Sequence, residues 1–199
     1  HWLPPDNIQE HPALVVARRT SPTNIGLSLL ANLAAWDFGY LPLGGLMERT
    51  RQVFATLEKM PRHRGHFYNW YDTETLQPLP PNYISTVDSG NLAGHLQTLR
   101  QGLLAMPDQP VLARSTFNGL ADTLGVLEEN WRAAGGEDEA MKAALAAFRE
   151  RLDNARAQPP ATPRQAWMAL ESLATQAGAI DSAWPAPATT ADAESQPHW

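Results

Sequence analysis

The sequence predicts an all-α fold of six helices, interrupted by one long loop that carries most of the polar and aromatic character of the chain. Apolar residues recur three and four positions apart along most of the 199 residues, which is the spacing of an amphipathic helix. Hydroxyl residues, prolines and glycine pairs separate these stretches at positions where helices begin and end. Residues 62–87 differ, because they contain several prolines and large rings without a helical period.

The first two helices are predicted to form an antiparallel pair. Ser21 offers a capping hydroxyl and Pro22 suits the first helical position, so the first helix should run from about 22 to 38. The second follows the pair Gly44-Gly45 and ends at Pro61. Each has one apolar stripe, formed by Ile25, Leu29, Leu33, Trp36 and Tyr40 in the first helix and by Leu46, Val53, Leu57 and Met60 in the second.

Four more helices are predicted after the loop. Asp88-Ser89 is interpreted as the cap of the third, whose leucines at 92, 96, 99 and 103 lie on one face before Pro107. The others are expected at about 115–134, 137–157 and 163–178. Their apolar stripes include Phe117, Leu120, Leu124, Leu127 and Trp131, then Met141, Leu145, Phe148 and Leu152, then Trp167, Leu170, Leu173 and Ala177.

Composition excludes several classes of function. A formal net charge of −6 without a basic stripe argues against a nucleic-acid partner. The chain has no cysteine, and its histidines at 63, 66 and 95 lack the spacing of a metal cage, so neither a metal site nor a cofactor is expected. No apolar run approaches the length of a membrane span, so we expect no membrane insertion by this segment.

The aromatic loop is the strongest candidate for a binding surface. Its run His66-Phe67-Tyr68-Asn69-Trp70-Tyr71-Asp72 mixes flat rings with hydrogen-bonding side chains. A sugar fits such a surface, since its C–H faces stack on rings while its hydroxyls donate and accept hydrogen bonds. The competing interpretation, equally weighted from this run alone, is that the rings are core residues beneath a loop.

Two further segments contribute candidates. Arg19, Thr23 and Asn24 lie at the start of the first helix, where they and the unpaired backbone N–H groups could hold oxygen atoms. Capping by Ser21 with a surface arginine is the simpler interpretation there. In the third helix, Asp88 and Asn91 are followed one turn later by His95, a position that more often belongs to a structural histidine than to a catalytic one.

Asp72 and Asp88 are the acids embedded in these segments, and they are weak candidates for a catalytic pair. Glycosidic chemistry uses two carboxyl groups, one of which burial keeps protonated. Sixteen positions across a loop fix no distance between the two, so the pairing is a hypothesis only.

Four blocks, taken together, closely resemble the glucoamylase-like middle region of cyclic β-1,2-glucan synthases. They are WLPPDN at 2–7, RTSPTNIGL at 19–27, RGHFYNWYDT at 64–73 and STVDSGNLAGHL at 85–96. They occur in the family's order, so the resemblance over residues 2–104 is specific. Residues 105–199 resemble the same region only loosely.

The resemblance implies that helical hairpins here form part of an (α/α)6 toroid. Residues 1–181 would be the N-terminal part of that domain, and 182–199 a flexible tail or linker. The parent would be a bacterial inner-membrane glycosyltransferase that uses UDP-glucose, with this segment soluble and facing the cytoplasm. By analogy, the glucan cleft would be lined by Arg19, Asn24, His66, Tyr68, Asn69, Trp70, Asp72, Asp88, Asn91 and His95.

Three functions remain open at this point. The first is binding of β-1,2-glucan for ring closure by transglycosylation, with the rest of the parent chain as partner. The second is a helical β-1,2-glucanase, which would release linear products. The third is a non-catalytic carbohydrate-binding segment. Because the later helices of the toroid are expected to bring the principal carboxylates, we expect the isolated segment to be inactive.

Overall fold

The computed structural model describes residues 1–110 and 112–184. Within these residues, the chain forms six α-helices and three pairs of two-residue strands, so the all-α prediction is confirmed. The helices are α1 (Pro22–Asp37), α2 (Leu43–Leu57), α3 (Thr86–Ala105), α4 (Arg114–Ala133), α5 (Glu139–Ala157) and α6 (Pro163–Ala183). The toroid predicted from the resemblance stays a prediction, as does the single domain 1–181.

The chain divides into two compact units, His1–Leu120 and Ala121–Trp199. In the first unit, α1 packs against both α2 and α3. The shared core is apolar, as most of the stripe residues predict, although Tyr40 lies beyond α1 and is exposed. The core also takes two side chains from the aromatic loop. Its buried members are Ile25, Leu29, Val53, Leu57, Met60, Tyr71, Leu76 and Leu99.

The predicted start of α1 is confirmed, whereas the predicted cap of α3 is wrong. Ser21 caps α1 by accepting from the backbone N–H of Asn24, with Pro22 in the first turn. In α3 the cap is Ser85, whose hydroxyl accepts from the backbone N–H of Asp88 at 3.1 Å. Because Ser85 caps the helix, α3 begins at Thr86. The Asp88 carboxylate lies in the first turn and is not used for capping.

Other boundaries shift by a few residues. Helix α2 begins at Leu43, so the glycine pair that was expected to precede it lies inside its first turn. Helix α6 continues past Gly178 to Ala183. The predicted tail at 182–199 falls outside the described residues from 185 onwards.

Short antiparallel strands tie the loop to the start of α1. Strands β1 (Ile8–Gln9) and β2 (Val15–Val16) pair with each other ahead of β3 (Arg19–Thr20). Strands β4 (Arg62–His63) and β5 (His66–Phe67) form a short hairpin at the start of the aromatic loop. Its turn needs a positive φ at Gly65, which glycine adopts without strain.

The pairing that positions the candidate site joins β3 to β6 (Tyr71–Asp72). Arg19 lies opposite Asp72, and Thr20 lies opposite Tyr71. The aromatic run is therefore fixed against the residues that lead directly into α1.

In the second unit, α5 packs on α6. The predicted stripe of α5 is confirmed, since Met141, Leu145, Phe148 and Leu152 are buried. The predicted stripe of α6 is partly wrong, because Trp167 is 62% exposed and Leu170 is 42% exposed. In the part of the chain that the structure describes, no helix is long and apolar enough to cross a membrane.

Candidate functional site

The first turns of α1 and α3 are joined by a chain of side-chain hydrogen bonds. Thr23 of α1 donates its hydroxyl to Oδ1 of Asp88 at 2.6 Å. Asn91 of α3 donates from Nδ2 to the same Thr23 oxygen at 3.1 Å. Two helix N-termini and their polar side chains therefore meet at one place.

Asn69 connects the aromatic loop to this pair of helices. Its buried side-chain amide lies 2.8 Å from Oδ2 of Asp88 and 2.6 Å from both Nε1 of Trp70 and the hydroxyl of Tyr83. One orientation satisfies all three contacts: the amide nitrogen donates to Asp88, and the amide oxygen accepts from Trp70 and Tyr83. Asn69 is thus the hub between the loop and α3.

Asp6 holds the remaining members of the site. Its Oδ2 accepts from Nη2 and Nε of Arg19 at 2.9 and 3.1 Å, while its Oδ1 accepts from Nδ2 of Asn24 at 3.2 Å. The guanidinium of Arg19 in turn lies 4.8 Å from the centre of the Trp70 ring, within the range of a cation–π contact. The contacts therefore run without a break from Asp6 through Arg19 and Trp70 to Asn69.

The structure brings most of the predicted binding residues into one network, which we call the polar cluster. It contains Arg19, Asn24, Asn69, Trp70, Asp88 and Asn91, together with Asp6, Thr23 and Tyr83. Trp70 is partly exposed and is not part of the apolar core described above. The predicted binding role of these residues stays a prediction.

Of the other residues expected to line the cleft, His66, Tyr68 and His95 lie apart from these hydrogen bonds. His66 is exposed at the end of the hairpin and lines a small pocket of about 190 Å³ with Ser89 and Ala93 of α3. Tyr68 packs edge-on against the buried Tyr71, beside the core. His95 packs onto Gly26, but its buried Nδ1 has no hydrogen-bond partner in the structure, unlike the hydrogen-bonded structural histidine that the sequence favoured.

Asp72 builds a turn. Its Oδ1 accepts from the backbone N–H groups of Glu74 and Thr75 at 2.8 and 2.7 Å and from the Thr75 hydroxyl at 3.1 Å. This arrangement closes the chain reversal after β6, where Asp72 also lies opposite Arg19. The Asp72 carboxylate therefore stabilises this turn, and its pairing with Asp88 as a catalytic pair stays a hypothesis.

Comparison with known proteins adds a specific similarity. Over 130 residues, which are 65% of this chain, the sequence is 43% identical to the cyclic β-(1,2)-glucan synthase NdvB of Rhizobium meliloti (strain 1021). The predicted resemblance is confirmed. The chain spans 5% of the length of that synthase. No family model matches the sequence.

In a segment similar to a cyclic β-(1,2)-glucan synthase, the charge of Asp88 decides whether this residue can act as a general acid. Burial by itself raises the pKa of Asp88, but hydrogen bonds from Ser85, Thr23 and Ser21 together outweigh it and hold the pKa below its usual value. A general acid in glycosidic chemistry requires the opposite shift. Asp88 is therefore suited to fixing its neighbours as an anion, and not to donating a proton.

Stability is expected to depend on the charge of Asp88. Because its folded-state pKa is lowered, its contribution is complete above the unfolded value near 3.8 and is lost as the pH falls through the folded pKa. Asp88→Asn should lower the unfolding free energy at pH 7 by about 1–2 kcal/mol, through weakened hydrogen bonds to an anion. Urea denaturation at pH 7 and pH 3 measures the free energy of unfolding. The difference in this free energy between wild type and Asp88→Asn should be smaller at pH 3 than at pH 7. An equal difference in unfolding free energy at the two pH values would contradict a stabilising role for the Asp88 charge.

Sequence reasoning missed two members of the polar cluster. Asp6 lies in the WLPPDN block, 13 positions before Arg19, and no local pattern links these two residues. Tyr83 gave no signal, because its closeness to Asn69 depends on how the Pro-rich segment folds back. Among the described residues, no group of three or more metal-ligating side chains comes together.

Proposed function

We propose that this chain is part of a cyclic β-1,2-glucan synthase and that the polar cluster binds β-1,2-glucan for ring closure by transglycosylation. The observation that carries the proposal is the single hydrogen-bonded network that joins the N-termini of α1 and α3 to the aromatic loop. The similarity to the Rhizobium synthase supports the family assignment.

The chemistry of the polar cluster fits a neutral, hydroxyl-rich ligand. Arg19 is half-exposed, and Asn91 is also open to solvent, so both can reach sugar oxygens. Arg19 covers one face of Trp70, so a sugar would stack against the other face. Asn69 and Asp88 lie behind these groups and hold them in place, which lowers the entropic cost of binding.

Ring closure would follow from holding the two ends of a flexible glucan near each other, since proximity replaces an improbable encounter. The rest of the parent chain would supply the reacting carboxylates. We further propose that the segment faces the cytoplasm as part of an inner-membrane protein and that it is inactive in isolation.

A non-catalytic carbohydrate-binding segment is the second candidate. It is favoured by the occupied carboxylates: Asp72 closes a turn, and both oxygens of Asp88 are engaged by Thr23 and Asn69. Cyclisation or hydrolysis of β-1,2-glucan by the 199 residues alone would exclude it. A cyclic product would then support transfer, and a linear product with reducing ends would support a glucanase.

Trp70→Ala tests the proposed binding function. If the ring stacks on sugar, the variant should bind β-1,2-glucan about tenfold more weakly, which corresponds to about 1.4 kcal/mol. Titration calorimetry with a β-1,2-glucan oligosaccharide measures the affinity, and thermal unfolding checks the fold. Trp167→Ala is a matched control, because that ring is 62% exposed and lies on α6. Unchanged affinity combined with a large loss of stability would make Trp70 a core residue.

A further inference from the structure

Tyr83 is a large aromatic residue that remains 47% exposed beside the polar cluster. It lies between the Pro-rich end of the aromatic loop and the cap of α3 at Ser85. Neither the predicted site nor the resemblance blocks include it. Within the polar cluster, Tyr83 therefore presents a second accessible aromatic surface beside that of Trp70.

Asn69 holds Tyr83 at two points. The backbone N–H of Asn69 donates to the carbonyl of Tyr83 at 2.9 Å. The Tyr83 hydroxyl lies 2.6 Å from the side-chain amide of the same residue. A ring fixed at both its backbone and its hydroxyl loses little freedom when a ligand packs on it.

The position of the hydroxyl places Tyr83 next to Trp70. Both the Tyr83 hydroxyl and Nε1 of Trp70 lie 2.6 Å from one atom of the Asn69 amide. When this atom is the oxygen, Tyr83 donates its proton there, and its own oxygen can still accept a hydrogen bond from a sugar hydroxyl. The exposed ring offers an apolar surface to sugar C–H groups.

We propose that Tyr83 is a second aromatic contact for the glucan, beside Trp70. The inference rests on the proposed binding function and deepens it. Trp70 and Tyr83 would contact neighbouring parts of the sugar chain, and Asn69 would fix the spacing between them.

The test compares two substitutions at one position. Tyr83→Ala removes the ring and should weaken β-1,2-glucan binding about five- to tenfold, while Tyr83→Phe keeps the ring and should lose less. Tyr40→Ala is the matched control, because Tyr40 is 56% exposed but follows the opposite end of α1. That substitution should leave the affinity within about twofold of wild type.

A measurement on the wild-type chain avoids any dependence on folding of the alanine variant. The chain has four tyrosines, so ring-labelled tyrosine gives a small set of NMR signals, and Tyr83→Phe identifies one by its loss. Added β-1,2-glucan should shift the Tyr83 signal.

The outcomes separate the two proposals. If Trp70→Ala weakens binding while Tyr83→Ala does not and the Tyr83 signal stays in place, the role of Tyr83 is refuted and the binding function stands. If the wild-type chain fails to bind glucan, both are refuted. Equal losses from Tyr83→Ala and Tyr40→Ala would also overturn the inference.

Discussion

Tyr71→Ala is expected to lower the free energy of unfolding by about 3–5 kcal/mol, because it removes a fully buried ring from the core of the first unit. The ring packs edge-on against Phe67 and Tyr68. Its hydroxyl donates to the carbonyl of Pro61 at 2.7 Å and accepts from the backbone N–H of Tyr68 at 2.8 Å. The alanine variant would lose all of these contacts and leave a cavity.

Tyr71→Phe separates the contribution of the hydroxyl from that of the ring. It should cost about 1–3 kcal/mol, since it leaves the partly buried Pro61 carbonyl and Tyr68 N–H without their partner. Urea denaturation of both variants measures these values. If Tyr71→Ala changed the unfolding free energy by less than 1 kcal/mol, Tyr71 could not be the residue that anchors the aromatic loop.

Gly26→Ala is expected to destabilise the packing of α1 on α3 by about 1–3 kcal/mol. A Cβ at this position would lie 2.3 Å from Nδ1 and 2.9 Å from Cβ of His95. Because the second of these atoms is next to the backbone of α3, the histidine cannot simply rotate away. The helices would separate near the contact of Thr23 with Asp88, so the glucan binding proposed for the polar cluster should weaken as well.

Two controls distinguish this clash from a general effect of alanine. Gly94→Ala on α3 has no atom within 4 Å of the added methyl, so better helix propensity should make it neutral or slightly stabilising. Truncation of the opposing ring in the double variant Gly26→Ala, His95→Ala should recover part of the loss seen in Gly26→Ala alone. Thermal and urea unfolding report both effects. Additive losses in the double variant would contradict the proposed clash.

Local signals predicted the helices well because they depend on nearby residues. The start of α1 follows from Ser21 and Pro22, and the stripe of α5 follows from four apolar residues at helical spacing. The cap of α3 was mistaken because Ser85 and Asp88-Ser89 both offer capping groups three residues apart. Only the folded chain shows that Asp88 is used elsewhere.

The members of the polar cluster were predictable as residues but not as a connected network. Their types and the blocks in which they lie pointed to Arg19, Asn69 and Trp70. Their contacts depend on the pairing of two-residue strands β3 and β6, in which Arg19 lies opposite Asp72 and Thr20 opposite Tyr71, far apart in the sequence. Pairs of this length carry no periodic signal, so neither the hub at Asn69 nor the place of Tyr83 followed from the sequence.

The amide of Asn69 also affects how the charge of the polar cluster depends on pH. An aspartate at this position would bring a second carboxylate within 2.8 Å of Asp88, and two such groups share a proton whose binding changes with pH. An amide has no proton to exchange in this range. With the pKa of Asp88 lowered, the pair carries a single constant negative charge from mildly acidic to alkaline conditions. The proposed glucan site would therefore have the same charge at Asn69 and Asp88 throughout that pH range.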